Sequence, residues 1–262
     1  MTYTETAIAE TIERLAGTTL SALDQGQLDA VDQFHAGGAD AVDRLIPALK
    51  LASGMTALDV GSGFGGPARQ VARTTGCDVV GVDITASYVA AAQDLTRGTD
   101  LGDRVRFHHV GLADLDRTDF DAAYTIHVQM NVADKKSFYA EIARHLRPGA
   151  RLATFEVCRA GDVLPASPLP WSLDGSDSFL ATPDELRDSI QAGGFEVVEW
   201  VDDSDWVKQW FSEAGRRLAA AGAASANLPA LLDDGPTRMF NFAAALAAGA
   251  VAIPRGAFVL AG

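Results

Sequence analysis

Apolar residues recur along this chain with two different periods, and the change of period divides it. Residues 5 to 16 and 38 to 50 space theirs three and four apart, Ile8, Ile12 and Leu15 in the first and Val42, Leu45, Ile46 and Leu49 in the second. That is the spacing of a helix with one buried stripe. The polar stretch from Asp24 to Asp32 reads as a bridge between the two. From residue 55 onward, short apolar runs alternate with helical segments: strands over 55–60, 78–83, 104–110, 120–126 and 150–157, and helices over 65–75, 86–97 and 134–146. Such alternation calls for a mostly parallel sheet wound with helices on both faces. Pro148-Gly149 reads as the stop signal between the last of these helices and its strand.

Beyond residue 160 the pattern loosens and then recovers. Gly161 to Ser178 is a loop rich in proline and small residues, with Pro165, Pro168, Pro170 and Trp171. Thr182-Pro183-Asp184-Glu185 carries the marks of a helix start, a threonine cap followed by proline in the first turn, for a helix running to about Ala192. Phe195 to Val201 and Gly256 to Leu260 read as two more strands, separated by an alanine-rich helical segment from about Asp202 to Pro254. The predicted fold is therefore α/β, a Rossmann-like seven-stranded mostly parallel sheet, with N-terminal helices and a helical cap inserted before the last strand. Its organisation is a helical cover over 1–52, a core over 53–202, an insertion over 203–255 and a final core strand over 256–262. The cover is placed over the ligand-binding edge of the sheet. The insertion is either a lid or substrate-pocket wall, or else a dimerisation surface (a homodimer) or structural padding.

Composition narrows the partners. A chain of 262 residues that is 48% hydrophobic can fill one sizeable core. The formal net charge of -14 repels nucleic-acid phosphates and anionic lipid, which argues against nucleic acid and membrane as partners. Only Cys77 and Cys158 are present, without metal-ligand spacing, so neither a disulfide framework nor a metal site is expected and the compartment reads as reducing. The N-terminus lacks the basic start and apolar core of a secretory signal, and the longest apolar stretch, Met239 to Ile253, is interrupted by Asn241 and too short for a bilayer. A soluble, cytoplasmic protein is the expectation. Arginine outnumbers lysine seventeen to four and alanine is abundant, a bias that suits a high-GC bacterial genome.

The chemistry is concentrated where the first strand ends. Residues 59 to 66 read D-V-G-S-G-F-G-G, and Asp83 closes the next strand. Glycines at a strand-to-helix turn let backbone approach a ligand, and a carboxylate at the next strand end is placed to accept from both hydroxyls of a ribose. The pair reads as a nucleoside-containing cofactor. Gly61, Gly63 and Gly66 also satisfy the dinucleotide spacing G-x-G-x-x-G. Asp59, just before the first glycine, opposes a pyrophosphate and attracts the ammonium and sulfonium of S-adenosyl-L-methionine (SAM). A nicotinamide-dependent oxidoreductase also finds no Tyr-x-x-x-Lys pair, since none of Lys50, Lys135, Lys136 and Lys208 has a tyrosine four residues before it.

With Asp59, Gly61, Gly63 and Gly65 standing as D-x-G-x-G-x-G, the chain resembles the class I SAM-dependent methyltransferases. The ordered set continues with the acidic strand end, F-D at 120 to 121 and L-R-P-G-A at 146 to 150. The resemblance implies that Gly61, Ser62 and Gly63 touch the methionine portion of SAM, Asp83 the ribose and Ile84 one face of adenine. It also implies backbone near Leu112 at the adenine edge and backbone near Ile126 at the amino-acid moiety. The acid that the family often places after its third strand is Gly111 here, and Asp114 is not a convincing substitute. A second element, D-Q-F-H-A-G-G, resembles the H-x-G motif of the sarcosine and dimethylglycine N-methyltransferases, where it lies by the methionine end of SAM. That carries over to Gln33, His35 and Gly37, with helix capping as the competing explanation.

Methyl transfer from a sulfonium needs alignment in a dry pocket more than a catalytic triad, though a hydroxyl or ammonium acceptor also needs a base. His127 follows the fourth strand directly, at the edge where open α/β sheets bind ligands, and is the leading base. Its alternative role is a hydrogen bond to the cofactor or a neighbouring loop. His108, His109 and His145 fall away from that edge. Trp171, Phe179, Trp206, Trp210, Phe211, Met239 and Phe240 either enclose a planar or greasy small-molecule methyl acceptor or pack the cap. The reading is methylation of O, N or C on a small molecule, in natural-product biosynthesis. The alternative is a methyltransferase-fold protein that binds SAM without methylating, as a binding module or as the catalyst of a SAM-independent rearrangement.

Overall fold

The computed structural model describes residues 3–221 and 226–262. Its central sheet comprises β1 (Thr56–Val60), β2 (Asp78–Asp83), β3 (Val105–His109), β4 (Phe120–Ile126), β5 (Leu146–Phe155), β7 (Phe195–Asp202) and β9 (Pro254–Leu260). A two-stranded ladder joins β6 (Cys158–Arg159) to β8 (Val251–Ala252). In the sheet the order is β3-β2-β1-β4-β5-β9-β7, with every strand running the same way except β9, which pairs antiparallel with both β5 and β7. The strand order reverses between β1 and β4, and ligands settle outside the carboxyl ends of the strands at such a point.

Ten helices surround the sheet among the described residues: α1 (Ile8–Ala16), α2 (Gln25–Asp32), α3 (Gly38–Leu49), α4 (Gly66–Thr75), α5 (Ala86–Arg97), α6 (Lys135–His145), α7 (Pro183–Ala192), α8 (Ser204–Ala221), α9 (Leu228–Leu231) and α10 (Gly235–Ala247). Alternate residues of each strand feed two cores. Ala57, Val79, Tyr124 and Phe155 pack with Val42 and Leu45 of α3 and Val71 of α4. Leu58, Val80, Ala123 and Leu152 pack with Ile142 of α6 and Ile190 of α7 on the opposite face. A third cluster joins Ile8 and Ile12 of α1, Val31 of α2, Tyr88 of α5 and Leu228 of α9, which ties the N-terminal helices to the insertion.

Three expectations change. The polar bridge is itself a helix: Asp24 caps α2 in a reciprocal box with Gln27, and Leu28 and Val31 are buried. An eight-residue helix with so few apolar positions leaves little periodicity to read. Pro148-Gly149 does not separate helix from strand, because β5 starts at Leu146, which pairs with Phe120. The register shifts before Arg151 pairs with Ala122, and Gly149 takes φ 76 inside that irregularity. The segment before the last strand also ends in β8 rather than remaining helical throughout. The start of α7 matches its sequence signature, with Thr182 Oγ1 accepting from Glu185 N at 3.2 Å and Glu185 Oε2 accepting from Thr182 N at 2.7 Å. Among the described residues no helix is long and apolar enough to cross a membrane.

Candidate cofactor and methyl-transfer site

The turn after β1 is pinned to the end of β2. Gly61 N and Ser62 N both donate to the Val82 carbonyl, at 2.8 and 3.1 Å, and Gly63 N donates to Asp83 Oδ2 at 2.9 Å. Asp83 Oδ1 accepts from Thr85 N at 2.8 Å, so this carboxylate fixes both the glycine turn and the start of α5. Each of its oxygens retains a further lone pair for a ligand hydroxyl. Gly61 has φ 76, and a Cβ there would come within 2.5 Å of the Val128 side chain. Gly63 has φ 52 and nothing within 4 Å of its missing Cβ, so backbone alone borders the space in front of it.

That space is a cavity of about 1010 Å³ lined by His35, Gln33, Asp59, Gly61, Ser62, Gly63, Asp83, Ile84, Leu112, Ile126 and His127. The structure thus brings together residues spread over nearly a hundred positions. Gly37 is the exception, since Gly38 borders the cavity in its place. A Cβ at Gly37 would meet Ala41 and the Trp206 ring at 2.7 Å, so the bareness of Gly37 serves helix packing rather than a ligand. Asp114 lies in a short helical turn after β3 and is not on the lining. His108, His109 and His145 are off the lining as well, and His109 Nε2 donates to the Ile84 carbonyl, 3.1 Å away.

Several lining groups have polar atoms with no partner. Asp59 is 2% exposed and its Oδ2 makes no hydrogen bond, as is true of Ser62 Oγ, Gln33 Oε1 and His127 Nε2. Burial, with Asp83 adding to it, pushes the Asp59 carboxyl up to about 8 against the pull of Tyr124 and Arg69. A cation arriving beside Oδ2 would restore the carboxylate. His127 holds a left-handed backbone, φ 53, and its N–H donates to the Phe155 carbonyl at 2.9 Å. Its ring stacks on Phe155 at 5.5 Å and meets His35 edge-on at 6.1 Å. Burial, with His35 adding to it, holds His127 well below the usual histidine range. Burial likewise lowers His35 to about 4, opposed by its contact with the Gly38 carbonyl at 3.0 Å. Both imidazoles are therefore neutral at physiological pH, and the free Nε2 of His127 is the better placed acceptor.

Residues that gave no signal in the sequence complete the chamber. Tyr3, Phe34 and Tyr88 line it, as does Asn131. Of the aromatic and apolar candidates from the sequence, Trp171 lines it. Trp210, Phe211, Met239 and Phe240 also line it, whereas Phe179 and Trp206 do not. Trp206 lies under the Arg44 guanidinium, 4.2 Å from its ring, and the Phe179 carbonyl accepts from Lys135 Nζ. Glu156, wholly buried at the end of β5, accepts from Val128 N at 2.9 Å and Gln129 N at 3.2 Å and so shapes the turn that carries His127. A lone glutamate after an apolar strand carries no recognisable spacing, and Tyr3 and Asn131 meet the site only through tertiary folding.

Residues 58–154 match the model of a family described as a methyltransferase domain. That segment carries a methyltransferase domain. The match runs from β1 through β5, the strands whose ends supply Asp59, Asp83 and Ile126. O-methyltransferase resE of Aspergillus sclerotiorum is 31% identical to this chain over 167 residues, 61% of this chain and 62% of its own length. Methyltransferase GfsG of Streptomyces halstedii is 29% identical over 184 residues, 68% of this chain and 66% of its own length. The chain thus spans less than two thirds of the length of the curated relatives it matches. Among solved structures, the [4+2]-cyclase SpnF superposes with a TM-score of 0.64 at 25% identity, covering 85% of this chain and 81% of its own. The donor set of the site fits SAM on its own chemistry: a buried carboxyl with one oxygen unpaired for a cation, a strand-end carboxylate for a ribose, and backbone left bare at Gly63.

Proposed function

We propose that the protein transfers a methyl group from SAM to an oxygen, nitrogen or carbon atom of a bulky, weakly polar small molecule, in natural-product biosynthesis. The observation that carries this reading is one cavity with two kinds of wall. The strand-end wall holds Asp59, Ser62, Asp83 and His127, and the opposite wall is apolar, from Trp171, Phe211, Met239 and Phe242. When bound, SAM supplies an electrophilic methyl carbon whose leaving group is a neutral thioether. Asp59 faces the ammonium, Asp83 accepts from the ribose hydroxyls, and Ile84, 78% exposed at the mouth, covers adenine. The apolar wall excludes water and fixes the acceptor against the methyl carbon. His127 Nε2 takes a hydrogen bond, and for an acidic acceptor the proton, from the group being methylated.

The charges of the chamber support an acceptor without phosphate. Arg69 spends its donors on Asp32, Phe64, Ala92 and Thr96, all within the protein. Among the described residues Arg217 is the one arginine or lysine on the lining, and it is exposed. An anionic headgroup entering the chamber would meet Asp59 and Asp83 with no buried cation to offset them.

A second reading has a specific observation behind it. The similarity to SpnF, a cyclase, extends over most of this chain, and a SAM-loaded chamber of this kind would also fold an apolar substrate for rearrangement. A radiolabelled-methyl assay against neutral polyketides, sterols and aromatic alcohols separates the two. Label in the product supports methyl transfer. Conversion of a substrate without label, at undiminished SAM, would replace it with the second reading.

A further inference from the structure

The roof of the chamber is assembled from segments far apart in the chain, and one buried side chain touches most of them. Arg238, on α10 of the insertion, is fully buried. Its Nε donates to the Leu169 carbonyl at 3.1 Å and its Nη2 to the Pro170 carbonyl. Its Nη1 donates to Glu5 Oε1 at 3.2 Å and to the Asp233 carbonyl at 3.2 Å. Glu5, 6% exposed, also accepts from the Tyr88 hydroxyl at 2.7 Å. Two residues earlier, Tyr3 donates its hydroxyl to Asn131 Oδ1 at 2.7 Å, and Asn131 Nδ2 donates to the carbonyls of Trp171 and Asp177, each at 2.9 Å. Residues 3 to 5, the loop around Leu169 to Trp171, the turn after β4 and the insertion are thus joined in one polar network with Arg238 at its centre.

The two ends of that network line the two halves of the chamber. Tyr3 is on the lining with Asp83, and the Asp83 carboxylate, after burial, contributes to holding the Tyr3 phenol in its protonated form. Tyr3 also packs edge-on against Phe34 at 6.2 Å and Tyr88 at 5.6 Å, so the N-terminal segment lies over the ribose side of the cavity. Trp171, 1% exposed, lies edge-on to Phe242 at 5.2 Å in the acceptor wall. An arginine has the planar fork needed to reach a carboxylate and two carbonyls at once, and a lysine does not.

We propose that Arg238 is a positioning residue that latches the N-terminal segment over the cofactor and sets the acceptor wall in the same act, so that cofactor release requires the roof to open. The proposal rests on reading the cavity as a chamber for cofactor and acceptor. Stopped-flow fluorescence of the whole protein with S-adenosyl-L-homocysteine reads release directly, because Trp171 and Trp210 face the chamber. Arg238→Lys, which keeps the charge beside Glu5, is expected to speed release by about tenfold or more, the size of a lost charge-assisted hydrogen bond. Tyr3→Phe, which does not touch Arg238, is expected to speed it less. Combined with Arg238→Lys it should fall well short of the product of the two effects, because both act through residues 3 to 5. A folded Arg238→Lys protein with unchanged release, or two effects that multiply, would overturn the latch. If Arg238→Lys does not fold, Glu5→Gln takes its place with the same expectation. Absence of homocysteine-adduct binding by the unaltered protein would instead remove the cofactor reading itself, and the latch with it.

Discussion

The two halves of the chamber are built by opposite means. The cofactor half uses polar groups at the ends of buried parallel strands, where the Val82 carbonyl and the Asp83 carboxylate accept from backbone N–H groups of the turn and fix it. The acceptor half uses large apolar side chains from a loop and an insertion, held in place by Arg238 and Asn131. The first half is rigid because the sheet is; the second is only as rigid as the network that ties its segments. A fold arranged in this way can keep its cofactor chemistry while its acceptor wall changes, since the residues of one wall are not those of the other.

The sharpest way to divide the halves is at His127, which belongs to the strand-end wall and, as proposed, serves the acceptor. His127→Ala should cut turnover by about 10² to 10⁴, the range for a lost acid–base group, while SAM affinity measured by calorimetry stays within a few-fold. A fall in affinity of the same size would make His127 a cofactor ligand. On the acceptor side, Trp171→Ala should cost about 3 to 5 kcal/mol of stability in a denaturant titration, because the ring is fully buried and the site cannot collapse around it. SAM affinity should survive in the protein that remains folded. If both properties change together, the halves are not separable.

Much of the cofactor half is written locally. The glycine turn and the acidic strand end lie within a single strand–helix–strand unit, so spacing alone exposes Asp59, Gly61 and Asp83. The roof and the acceptor half have no such signature, because Tyr3, Asn131 and Arg238 are brought together only by the tertiary fold. Helix α2 escaped notice for a related reason: its apolar face is two residues, and its stability comes from the Asp24–Gln27 box and from Arg69, which pairs with Asp32 at 2.8 Å. Gly37 shows the limit of motif transfer, since the residue that matches the motif packs against Trp206 and its neighbour Gly38 reaches the cavity.

Smaller effects refine the cofactor half. Asp83→Ala should weaken SAM binding by about 1.5 to 3 kcal/mol for the lost hydrogen bonds to a charged group, and unchanged affinity would end its ribose role. Asp59 gives a pH test with a definite sign. Its carboxyl rises to about 8 in the folded protein, so the folded state holds the proton better than the unfolded chain does. Its contribution to stability is present below the ordinary aspartate range and is lost as pH rises toward 8. Asp59→Asn should therefore stabilise the cofactor-free protein by about 1 to 3 kcal/mol at pH 8, and less at pH 5, in thermal melts. The same substitution should weaken SAM binding. A variant whose gain over the unaltered protein is no larger at pH 8 than at pH 5 would show that the buried carboxyl is not under this strain.

The claim beneath all of this is that the turn between β1 and α4 receives a cationic, adenosine-bearing methyl donor. Isothermal calorimetry at pH 7 with SAM and with NAD, repeated in two buffers of different ionisation enthalpy, addresses it directly. The predicted result is one SAM per chain, no binding of NAD, and a net release of protons as Asp59 ionises beside the incoming cation. Binding of NAD, or no heat from SAM in either buffer, would contradict it.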